Sequence, residues 1–94
     1  MVKVPITFIL DEFYHEGVKY KHIGATNTRF LCREVDHPEK EVQISAYSTV
    51  EVEDAEAPRI LFYVEDLLRS TRVRIMDLEE GIRMLKGQGV TEGL

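Results

Sequence analysis

Cysteine is nearly absent from this chain: Cys32 is the only one in 94 residues. No intrachain disulfide can therefore hold the fold, and nothing here depends on an oxidising compartment. No apolar run approaches the roughly 20 residues that cross a bilayer. The N-terminus also lacks the basic-then-apolar order of an export signal. A cytoplasmic protein without a membrane partner is the expectation.

Chemical motifs are missing as well. A zinc site drawn from Cys32, His15, His22, His37 and Asp11 or Glu12 would have neither a Cys-x-x-Cys pair nor two histidines at helical spacing. The histidines read more simply as turn and strand residues, and Cys32 as a small buried hydrophobe. No Gly-x-Ser-x-Gly or comparable nucleophile context exists. Arg33 follows Cys32 on the opposite face of a strand, so it is not placed to activate the thiol. The carboxylate pairs Asp11-Glu12, Glu65-Asp66 and Glu79-Glu80 are sequence neighbours that face different directions. No catalytic residue, metal or cofactor is expected, and the chain is read as not an enzyme.

Basic residues are outnumbered, 12 to 17, leaving a net charge of −5. That excludes indiscriminate binding to a polyanion, because such affinity comes from neutralising phosphates. The distribution is uneven, however. Val18 to Arg33 carries Lys19, Lys21, Arg29 and Arg33 without one acid, and Arg69, Arg72 and Arg74 form a second cluster. A polarised surface follows, which steers partners without deciding the fold.

What is present is the composition of one globular domain, 44% hydrophobic and 31% charged. We assign residues 1–88 to a single domain and 89–94 to a flexible tail. From Glu41 to Glu53, Val42, Ile44, Ala46, Ser48, Val50 and Val52 alternate with Gln43, Ser45, Tyr47, Thr49, Glu51 and Glu53. This is strand periodicity with one apolar face, and Ala46 and Ser48 mark a bend or a close neighbour. Val2 to Leu10, continuing through Tyr14, is a strand in which Pro5 calls for an edge position or a strand start. Gly17 ends it in a tight turn. Val18 to Ile23 returns, Gly24 to Asn27 turns again, and Thr28 to Val35 puts Phe30 and Cys32 on one face against Arg29, Leu31 and Arg33.

Beyond Asp54 the period changes. Pro58 precedes a stripe of Ile60, Leu61, Val64, Leu67 and Leu68, which predicts a helix over Arg59 to Arg69. Ser70 to Arg74 is ambiguous between a break and continued helix. Asp77 with Glu80 reads as a capping box for a second helix that Gly87 ends, and Gly81 inside it implies a close approach or a weak helix. The fold expected is α+β: an antiparallel β-meander of about four strands, a small SH3-like or Tudor-like barrel if it curls, then one or two C-terminal helices.

Two functional readings follow. The first is a non-catalytic interaction module, of the adaptor or inhibitor type found among small acidic proteins including phage-encoded ones. It docks on a macromolecular partner or on a second copy of itself as a homodimer, through Tyr63, Arg72, Met76 and Met84 in the helical part. The alternative is a small nucleic-acid-binding barrel in transcription or RNA regulation. Lys19, Lys21, Arg29 and Arg33 would contact phosphates and Tyr47 would stack a base.

Overall fold

The computed structural model describes residues 1–70 and 75–91, with side chains placed for 1–67 and 78–91. Strands β1 (Val2–Pro5), β2 (Glu12–His15), β3 (Val18–Ala25), β4 (Arg29–Glu34), β5 (Glu41–Ser45) and β6 (Thr49–Val52) form one antiparallel sheet in the order β1-β6-β2-β3-β4-β5. Helices α1 (Ala57–Ser70) and α2 (Ile75–Gly87) follow. The α+β class, the meander and the C-terminal helices agree with the sequence pattern. The strand count does not.

Two expected long strands are each cut in two. A 3-10 turn at Ile6–Phe8 separates β1 from β2, and residues 46–48 turn the chain between β5 and β6, closed by the Ser48 N–H donating to the Ser45 carbonyl at 3.0 Å. The alternation survives the second break, because three intervening residues return Val50 and Val52 to the buried face shared by Val42 and Ile44. Periodicity therefore records the face and conceals the turn.

The break has a topological consequence. Three strands lie between β6 and β5, so in a flat sheet these two would sit about 19 Å apart at roughly 4.8 Å per spacing. Four Cα steps from Ser45 to Thr49 span at most about 15 Å. The sheet must coil on itself. It is nevertheless open: among the described residues β1 and β5 are edges with no pairing between them, so this is not a closed barrel.

Inside the coil, Val2, Val4, Phe13, Cys32, Ile44, Val50 and Val52 meet Ile60, Leu61 and Val64 of α1 and Ile82 and Leu85 of α2. Ala57, Ile60, Leu61 and Val64 are buried at i, i+3, i+4 and i+7, the phase of a helix resting one face on a sheet. Leu67 is left 37% exposed and so falls outside the core stripe predicted for it; Leu68 lies outside the described side chains. The Glu56 carbonyl accepts the Ile60 N–H at 3.1 Å, which starts α1 two residues earlier than expected with Pro58 in the first turn. There its missing N–H costs nothing.

Pro5 closes β1, and its lack of an N–H is harmless for a related reason. The Ile6 N–H bonds the Ser48 carbonyl at 3.0 Å, which places even-numbered β1 residues in the ladder and turns Pro5 to the free edge. Between β2 and β3, Glu16 (φ 53°) and Gly17 (φ 82°) form the two-residue loop of a primed turn, whose hand matches the strand twist.

The second helix departs from the expected boundaries. It begins at Ile75, so Asp77 sits inside it and is not an N-cap. Gly87 is its last residue, and the terminating glycine is Gly89, at φ 86°. The Val90 N–H donates to the Leu85 carbonyl at 3.2 Å and the Gly89 N–H to the Lys86 carbonyl at 3.0 Å, a Schellman arrangement. It returns Val90, within the stretch read as tail, to the core. The ambiguous segment lies outside the described residues at 71–74, whereas Ser70 is in α1. No helix among the described residues is long and apolar enough to cross a membrane.

Candidate functional site

An apolar groove of about 410 Å³ opens where the 46–48 turn meets the two helices. Its walls come from distant parts of the chain: Pro5 and Phe8 from the first break, Tyr47 from the second, Tyr63 and Leu67 from α1, and Met84 from α2. Each is there for a local reason. Tyr47 is at the tip of the turn, where the Ser45 hydroxyl accepts its backbone N–H at 3.2 Å, and the residue is 88% exposed. Tyr63 precedes Val64 in α1, so it stands beside the buried stripe and stays 49% exposed. Phe8 forms the floor at 5% exposure, packed against Gly81 so closely that a Cβ there would enter its ring. Gly81 is thus a site of close approach.

The groove has little charge. Glu80 is the one ionic residue lining it among the described residues. Exposed tyrosines and a half-buried methionine around a recess, with one ionic residue among those described, are the composition of interface anchors.

The basic residues lie elsewhere, on the outer face of the coiled sheet. Lys19 pairs with Glu12 at 3.4 Å and sits 5.7 Å from the Tyr14 ring centre. The hydrogen bond and charge of Glu12 hold its ammonium above the usual lysine range. Arg33 pairs with Glu41 at 3.5 Å. Lys21 stands between Glu12 and Arg33 in register, and Arg29 is next to Ser45. Glu51 and Glu53 extend the same face, Glu53 accepting the Tyr14 hydroxyl at 3.1 Å. The hairpin that looked uniformly basic along the chain is interleaved with acids supplied by its neighbours.

Of the two sets of residues drawn from sequence, the structure brings together Tyr63 and Met84 and adds Tyr47 from the other set. Arg72 lies outside the described residues, and Met76 is on α2 with its side chain outside them. Lys19, Lys21, Arg29 and Arg33 share a sheet face, whereas Tyr47 belongs to the turn and the groove. Pro5, Phe8 and Leu67 were missed as groove residues. Gly81 was the available signal, since an interior helix glycine implies something large packed against it.

Cys32 and His22, a thiol and an imidazole, are in register, Cα opposite Cα across β3 and β4. Cys32 is nevertheless fully buried, and desolvation pushes its thiol above the ordinary value, so the nucleophilic thiolate is disfavoured. His22 stacks on Phe30 with ring centres 4.8 Å apart, its Nε2 buried and unbonded. Among the described residues no three His, Cys, Asp or Glu side chains gather to hold a metal ion.

Comparison with protein-family models, curated proteins and solved structures finds no match to this chain.

Proposed function

We propose that the protein is a non-catalytic interaction module, of adaptor or inhibitor type, that takes an apolar segment of a protein partner into the groove beneath Tyr47 and Tyr63. The observation that carries this reading is the convergence of Tyr47, Tyr63, Leu67 and Met84 from three separate elements on one recess. Two exposed tyrosines and a leucine stand around the same opening. Their burial against a partner would supply the desolvated anchors on which binding energy concentrates. Glu80, the one charged residue lining the groove among those described, favours a neutral or basic segment over a phosphate backbone.

The nucleic-acid reading rests on Lys21 and Arg29, the two residues of the basic hairpin without an ion pair to a neighbouring strand among those described. Two phosphate contacts against several carboxylates give a weak footprint.

The test pairs two double variants, Tyr47→Ala/Tyr63→Ala and Lys21→Ala/Arg33→Ala, in quantitative affinity capture from the source cell and in oligonucleotide anisotropy across a salt series. The groove reading expects the first pair to lose the captured protein and the second to keep it, with no salt-sensitive oligonucleotide binding by wild type. Oligonucleotide binding abolished by Lys21→Ala/Arg33→Ala would overturn it.

A further inference from the structure

The two edges of the sheet are treated differently. At β1 the Gln88 side chain, from just beyond α2, accepts the Lys3 N–H and donates to the Lys3 carbonyl, both at 2.7 Å. One amide thus satisfies the outward backbone groups of an edge strand that Pro5 also blunts. At β5 no such device exists among the described residues. The Ala46 N–H donates to the Thr28 carbonyl at 2.9 Å and the Glu34 N–H to the Lys40 carbonyl at 3.2 Å. These bonds fix the parity of the β4–β5 ladder: Val42 and Ile44 face β4, while Glu41, Gln43 and Ser45 turn their backbone groups to the open side. The strand has no proline, lysine or bulge to discourage pairing.

We infer that β5 is a self-association edge, on which a second copy of this chain pairs its own β5 antiparallel about a two-fold axis through Gln43. The side chains select this register. Centring on Gln43 sets amide against amide and puts Glu41 opposite the partner copy's Ser45, so no like charges face each other. Arg33 lies beside Glu41 and Arg29 beside Ser45 on β4. The rows across the junction then read Arg33, Glu41, Ser45, Arg29, basic at both ends with the acid between. On the inner face Val42 comes opposite Ile44 of the other copy. Gln43 exchanges two backbone hydrogen bonds at the centre, and each Ser45 N–H reaches the Glu41 carbonyl of the other chain. Ser45 keeps its own carbonyl bonded to Ser48. A patch one strand wide falls below the roughly 1,200 Å² of a stable interface, so the dimer is weak and concentration-dependent. This contact is separate from the groove and does not depend on it.

Sedimentation of the wild type from about 10 µM to 1 mM tests this, together with amide hydrogen exchange at low and high concentration. A reversible monomer–dimer equilibrium is expected, with extra protection at Gln43 and Ser45 but none at Val42 or Ile44, which are already bonded to β4. Gln43→Pro removes only an outward N–H, so it keeps the fold and weakens self-association by about tenfold or more. Ser45→Lys, opposite Glu41, tightens the dimer and Ser45→Glu loosens it, by about fivefold each way; this pair decides the matter should Gln43→Pro unfold. Tyr63→Ala leaves the equilibrium unchanged. A strict monomer at the highest concentration, a dimer that persists in folded Gln43→Pro, or equal effects of Ser45→Lys and Ser45→Glu would overturn the inference.

Discussion

Substituting Gly81 by alanine sets two effects of opposite sign against each other. In the interior of α2, alanine is favoured over glycine by about 0.8–1.0 kcal/mol. A helix whose outer surface were free would gain that amount. Here the new methyl group would enter the ring of Phe8, which is 5% exposed and fills the floor of the groove. Forcing a methyl group into a packed site costs about 1–3 kcal/mol. The net expectation is a loss of up to about 2 kcal/mol, which lowers Tm by up to roughly 16 °C for a domain of this size. Phe8→Ala alone should cost about 3–5 kcal/mol through transfer and cavity terms. In that background Gly81→Ala has no ring to meet and should recover the propensity gain. Urea denaturation of the four proteins closes the cycle, with an expected coupling of about 1–3 kcal/mol, the clash cost itself. Equal stabilisation by Gly81→Ala in both backgrounds would show that Phe8 does not pack on α2, and the groove floor would go with it.

Three further outcomes follow from other parts of the fold. Ile44→Ala, at a buried position, should cost about 2–5 kcal/mol, whereas Thr49→Ala on the exposed face should cost under about 0.5 kcal/mol; equal losses in urea titrations would mean that the sheet faces are misassigned. Gln88→Ala removes both bonds to Lys3 and should cost about 1–2 kcal/mol, with light scattering on heating rising as β1 becomes available for pairing; unchanged stability and scattering would deny Gln88 its capping role. Burial raises the Cys32 thiol above its ordinary 9.0 and, as the largest cause, the Tyr20 hydroxyl above its ordinary 10.0. With the folded value above the unfolded one, the neutral form is favoured in the fold, so this stability is intact below about pH 9 and lost as pH rises beyond it. The alkaline fall in Tm should be shallower in Cys32→Ala, and an identical slope would contradict the burial.

The local pattern carried much of the fold and little of its closure. Alternation in Val42 to Val52 and the stripe Ile60, Leu61, Val64 depend on which face meets the core, and both were legible because that face repeats with the period of the element. The turns at Ile6–Phe8 and 46–48 were hidden. A three-residue break leaves the alternation in phase, and only pairing with remote strands shows that β1 joins β6. The basic hairpin failed for a related reason: Glu12 and Glu41 lie seven and eight residues along the chain from Lys19 and Arg33, outside the acid-free stretch, and only strand pairing brings them alongside. Tyr63 and Met84 were singled out as interface-anchor residue types in the helical part, which is a local criterion. Their meeting with Tyr47 and Phe8 is a product of the coil.

The groove reading is tested most directly by site-specific photo-crosslinking in the source cell, with p-benzoylphenylalanine placed in turn at Tyr47, Tyr63 and Lys21. The account predicts one shared protein adduct from positions 47 and 63, competed by excess wild-type protein and absent from position 21. Adducts to nucleic acid at position 21, with none at 47 or 63, would contradict it.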